Sequence, residues 1–142
     1  MGGIVLLIGR VVFSFFFIYS GFNHLTKLSM LAQYAGAAGV PAPTVAVAVT
    51  GLMLLGGGLS LLLGVKPKVG AALLFLFLVP TAFLMHKFWG IPDPMMAAMQ
   101  AANFWKNIAL AGAALMIYAL ADLYPARWPY SVGSSGTSAP VI

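Results

Sequence analysis

In the run Asn103-Phe104-Trp105-Lys106-Asn107-Ile108-Ala109-Leu110 a lysine stands between two asparagines, just before a segment that stays apolar and small as far as Ala121. An ionisable group entering a membrane span is a functional-site hypothesis by default, because charge in hydrocarbon is costly. Gln100, Asn103 and Asn107 recur at i, i+3 and i+7, which lays their amides along one helix face with Lys106 beside them. Lys106 can bind a carbonyl or an anionic headgroup while the asparagines hydrogen-bond a polar ring, as a quinone site requires. The plainer reading of Lys106 is snorkelling, since a helical side chain leans toward its own N-terminus and hence toward the nearby water interface. Snorkelling leaves the amide stripe unexplained. Lys106, Asn107 and Asn103 are therefore candidate ligand contacts.

His24 and His86 each close an apolar run, and a four-span chain brings both to the membrane face of Lys106. Histidines on separate helices can ligate a haem. Both positions are shallow for one, so they are read as hydrogen-bonding or proton-exchanging ligand contacts, with Trp89 beside them at the interface. No metal site and no catalytic residue is assigned. The chain has no zinc-protease helix motif, serine triad or glycine-rich nucleotide pattern, and its two carboxylates are Asp93 and Asp122. Arg10 lies inside the first apolar run and is expected to pair with Asp122, tying span one to span four, because a buried charge needs a counter-charge.

The elements that must position these groups follow from composition. The chain has 142 residues, 62% hydrophobic and 6% charged, against roughly 45–50% and 25% in soluble domains. Seven basic and two acidic residues cannot cover a soluble core, so the expected fold is an all-α, integral membrane four-helix bundle in contact with the lipid bilayer. The net charge of +5 comes from isolated basic residues, which suits membrane-edge anchoring and not nucleic acid. The absence of cysteine excludes disulfides and thiol redox chemistry within the chain.

Four spans are expected at about 4–22, 44–64, 69–85 and 103–121, within a membrane domain covering 1–128, followed by a flexible tail at 129–142 rich in Ser, Gly and Pro. No basic residue precedes Arg10, so the first run reads as a retained span and not as a cleaved signal. Arg10, Ser14, Phe17, Gly21 and His24 recur on one helical face, the one expected to look inward. Residues 29–38 are too short and mixed to span and read as an interfacial segment ending at Gly39 and Pro41-Ala42-Pro43. In span two, Gly56-Gly57-Gly58 is expected to let a neighbouring backbone approach closely. Pro80 is expected to kink span three, and residues 95–102 to begin the last helix at the membrane surface. Four spans place both termini and the Lys66-Pro67-Lys68 turn on one side, and the distribution of basic residues favours the cytoplasm for it.

Several of these elements, taken in order, resemble the DoxX family of small four-helix bacterial membrane proteins. The likeness runs from Gly9 to Ala121 and rests on Arg10, the Ser20-Gly21 to Lys27 exit, Gly57-Gly58 to Leu63-Gly64, the basic turn, His86-Lys87-Phe88-Trp89 and Phe104-Trp105-Lys106-Asn107. It implies a quinone-linked role in the bacterial inner membrane as a subunit of a redox complex, with other membrane protein subunits as partners. Quinone would be its non-covalent ligand and no cofactor would be covalently bound. Family members commonly carry a glutamate just before the double glycine of span two, where this chain has Met53 and Leu54. That departure weighs against proton-coupled or catalytic work. The alternatives are a purely structural accessory subunit of a respiratory or photosynthetic assembly and a stand-alone quinone-linked oxidoreductase.

Overall fold

The computed structural model describes residues 2–123, 128 and 130–132, which form helices and the turns between them, with no strand among the described residues. Five helices follow in order: α1 Gly2–Thr26, α2 Leu28–Ala37, α3 Pro43–Leu63, α4 Pro67–Met85 and α5 Pro94–Leu123. All except α2 are long and apolar enough to cross a membrane. The chain is thus an all-α membrane bundle, as its composition dictates. At 30 residues α5 is about 45 Å long at 1.5 Å per residue, against a hydrocarbon core of about 30 Å. It therefore begins outside the span, where Asp93 Oδ1 accepts the Met96 N–H at 2.9 Å as an N-cap and Pro94 fills the first helical position.

Backbones pack closely in the order α1–α3–α4–α5, with α2 laid against α3. Glycine makes this possible at the centre of α3. A Cβ on Gly58 would stand 3.2 Å from the Ser14 carbonyl of α1, and one on Gly57 would stand 3.1 Å from the Gly70 carbonyl of α4. Two adjacent glycines thus admit a different helix on each side, whereas Gly56 meets nothing nearer than 3.9 Å. The core surrounds this crossing and contains Phe17, Leu54, Leu61, Ala71, Leu74, Leu78, Ala111 and Ala114. The buried residues of α1 are Arg10, Ser14, Phe17 and Gly21, the inward face read from spacing. Pro80 lies within a continuous α4. It has no N–H, so the Leu76 carbonyl loses its usual helical donor.

The expected Arg10–Asp122 pair is replaced by two separate arrangements. Arg10 is 4% exposed, and its Nε and Nη2 donate to the carbonyls of Leu61 and Leu62 at 2.9 and 2.8 Å, with the guanidinium 5.5 Å from the Trp128 ring centroid. These carbonyls end α3, where helix geometry leaves oxygens without donors and the helix dipole is negative. The negative end of α3 thus stands beside the guanidinium where an aspartate was expected. Asp122 instead takes both oxygens to Lys68 Nζ, at 2.6 and 2.7 Å, which links the end of α5 to the start of α4. Of the expected flexible tail, 129 and 133–142 lie outside the described residues, and within it Val132 donates its N–H to the Leu63 carbonyl at 3.0 Å.

Candidate functional site

Near the α2 end of the bundle the helices leave a cavity of about 330 Å³, walled by all five of them. Each wall brings a polar group by a different local route. From α1, Ser20 and His24 follow Phe17 and Gly21 on nearly the same face, one turn closer to the membrane edge. From α3, Thr50 lies one turn beyond the buried Val47. From α4 come Thr81, next to the backbone gap at Pro80, and His86 at the helix end, whose N–H still bonds the Ala82 carbonyl. From α5 come Asn107, which is 5% exposed, and Lys106.

The polar groups are held by specific bonds. Thr50 Oγ1 donates to its own helix, 2.7 Å from the Ala46 carbonyl and 3.1 Å from that of Val47, and lies 3.2 Å from His24 Nδ1. The His24 ring meets Phe77 edge to face at 5.8 Å. His86 Nδ1 lies 3.0 Å from Gln100 Oε1, so α5 orients the imidazole that ends α4. Lys106 is exposed, donates to Asn103 Oδ1 at 3.1 Å and sits 5.8 Å from the Phe16 ring centroid, bridging toward α1. No described residue hydrogen-bonds the Asn107 side chain.

Of the six residues singled out from sequence, His24, His86, Lys106 and Asn107 share this cavity. Asn103 and Trp89 do not line it. Asn103 serves as the partner of Lys106, and Trp89 packs 6.0 Å from the buried Phe104 ring, which also meets Phe83, Phe88 and Trp105. The amide stripe is thereby divided among three tasks: Gln100 holds His86, Asn103 holds Lys106, and Asn107 faces the cavity. Sequence reasoning missed Ser20, Thr50 and Thr81, although a hydroxyl on the inward face of an apolar span is itself a signal.

A membrane bundle enclosing a ligand-sized, mainly apolar cavity with a few convergent polar groups has the form of a binding site. Among the described residues no group of three or more His, Cys, Asp and Glu side chains could hold a metal ion. The protein is thus a small multi-span membrane protein with an internal pocket. It belongs to the DoxX family, whose family profile matches residues 5–87 and so ends before α5. The chain is also similar to the inner membrane protein YphA of Escherichia coli strain K12, 28% identical over 114 residues that make up 80% of this chain and 81% of that relative. No solved structure matches.

Proposed function

We propose that the protein is a non-catalytic membrane subunit that holds the polar head of a quinone or lipid in the cavity between its helices. The observation that carries this reading is Asn107, an amide on a residue only 5% exposed, on the cavity wall, with no hydrogen bond from any described residue. Its amide atoms are not fully enclosed and so open on the cavity, where water or a ligand head can meet them. A ligand head supplies the missing partner, and Lys106 at the same wall adds a cation for its carbonyl or phosphate oxygen.

The resemblance to subunits of quinone-linked systems supports a place in a redox complex with other membrane protein subunits, the chain itself doing no chemistry. Similarity to a protein named for the inner membrane supports the bacterial inner membrane as its location. Lys66 and Lys68 at the α3–α4 turn support cytoplasmic termini on the same side.

Purification from native membranes in mild detergent, with identification of co-purifying proteins and extracted small molecules, tests both parts. Retention of a quinone or a defined lipid by the wild type and its loss from Asn107→Leu is the expected result. An extract no richer in any molecule than the bulk membrane removes the ligand-holding role. A protein that purifies without any other subunit removes the redox complex.

A further inference from the structure

The cavity is not walled equally on all sides. At the centre of the bundle α3 and α4 are in backbone contact: a Cβ on Gly70 would stand 2.9 Å from the Gly57 carbonyl, and one on Gly57 would stand 3.1 Å from the Gly70 carbonyl. About two and three turns nearer the α2 end, Thr50 and Ala46 of α3 line the cavity, and so do Phe77 and Thr81 of α4. The two helices therefore part there. Across that end lies α2, with Leu31 and Ala35 on the cavity wall.

The residues of α4 show where the cavity leads. Its inward face is made by Leu74, Leu78 and Ala82, all fully buried. Pro80 follows Leu78 by two residues, about 200° around the helix, and forms an i, i+4, i+8 stripe with Leu76 and Leu84. All three are exposed, yet all three line the cavity. A cavity closed within the bundle would not reach them. It runs out between α3 and α4 to the surface of a helix long and apolar enough to cross the membrane. The polar groups of His24, Lys106 and Asn107 come from α1 and α5, whereas the α4 side of this window is leucine and proline.

We infer that the held molecule carries a hydrocarbon chain, that it enters sideways from the bilayer through the window between α3 and α4, and that the chain stays in the window while the head lies inside. This rests on the ligand-holding role proposed above. The chain gains little by leaving lipid, since the rim is no more apolar than lipid tails. The window thus decides which molecules fit more than how tightly they bind. Filling it leaves a chain-bearing molecule no way to seat its head, and leaves a bare head of the same chemistry unaffected.

The full-length protein in phosphatidylcholine nanodiscs is titrated with decylubiquinone and with the same dimethoxy-methyl-benzoquinone ring bearing no chain. Each ligand is compared with itself across variants, which cancels its partition into the disc. Leu84→Trp fills the rim from an exposed position and is expected to weaken decylubiquinone by at least about tenfold and the bare ring by less than about twofold. Leu76→Trp gives the same reading if the first variant misfolds, and Met116→Trp, at an exposed position of α5 off the cavity, is expected to change neither. Native mass spectrometry of the protein released from the discs covers a lipid occupant: phosphatidylcholine retained by the wild type and lost from Leu84→Trp supports the inference with lipid as the source of the chain. Retention of the chain-bearing molecule by Leu84→Trp, equal loss of decylubiquinone and the bare ring, or loss of decylubiquinone from Phe16→Trp in its place overturns the inference and leaves ligand holding intact. Failure of both quinones and phosphatidylcholine to bind the wild type overturns both.

Discussion

Arg10 Nε donates to the Leu61 carbonyl at 2.9 Å, so the arginine of the first span bonds the end of α3 and does not pair with Asp122. Charge-assisted hydrogen bonds of this kind contribute about 1.5–3 kcal/mol. Arg10→Leu loses both of its bonds to α3 and leaves the Leu62 carbonyl without this donor, while that of Leu61 keeps the Gly64 N–H at 3.2 Å, so it is expected to lower bundle stability by about 2–3 kcal/mol. Arg10→Lys keeps the charge but not the planar fork and is expected to fall between. Asp122→Asn breaks a pair whose side chains are 43% and 56% exposed, so solvent screening makes its expected loss much smaller than that of Arg10→Leu. Thermal unfolding of the three variants in detergent measures the order. An Asp122→Asn loss as large as that of Arg10→Leu contradicts the arrangement.

The three glycines of α3 are expected to respond differently to alanine. Gly58→Ala places a Cβ 2.7 Å from Ile18 Cγ1 and 3.2 Å from two α1 backbone atoms, and Gly57→Ala meets Leu74 and the Gly70 carbonyl. Each is expected to destabilise by about 1–3 kcal/mol through overpacking. Gly56→Ala meets nothing closer than 3.9 Å, and should gain up to about 1 kcal/mol from helix propensity. The melting temperatures of the three variants give the answer, and equal losses at all three positions count against the packing described.

Ser14 is fully buried and its hydroxyl has no hydrogen-bond partner among the described residues. Ser14→Ala removes that unsatisfied group for almost no change in volume, so a gain of up to about 1 kcal/mol is expected. A loss on thermal unfolding would show that the hydroxyl is bonded in the membrane.

These contrasts show what could be read from the sequence. The inward face of α1 was legible because Arg10, Ser14, Phe17 and Gly21 obey helical spacing, and burial follows spacing wherever a helix packs along its length. The four spans and the all-α class were legible because hydrocarbon admits little else. The partner of Arg10 was not, since its acceptors are backbone carbonyls, which no residue type announces. The amide stripe was visible but its division was not: Gln100 is drawn off by His86, which caps α4 and whose place beside α5 is set by tertiary packing, and Asn103 by Lys106 one turn along its own helix. Thr50 escaped notice because a single hydroxyl in an apolar run makes no spacing pattern, and its place 3.2 Å from His24 Nδ1 follows only from the packing of α1 on α3.

That division makes the last prediction selective within a single stripe. Asn107 lies on the cavity wall with no protein partner, whereas Asn103 lies off it and serves Lys106. Asn107→Leu removes an amide that a ligand head would use, and is expected to weaken retention of the bound molecule by about tenfold or more. The same change replaces an amide that bonds no described residue with an apolar side chain of similar size, so the ligand-free protein should be about as stable as the wild type. Asn103→Ala is expected to release Lys106 from its i−3 neighbour and to change ligand retention little, because the ammonium remains at the cavity mouth. Mass spectrometry of extracts from equal amounts of each variant, beside its melting curve, reads both quantities. Loss of ligand from Asn107→Leu with retained stability assigns the amide to binding. Loss of stability without loss of ligand makes Asn107 a packing residue and leaves the cavity without its anchor.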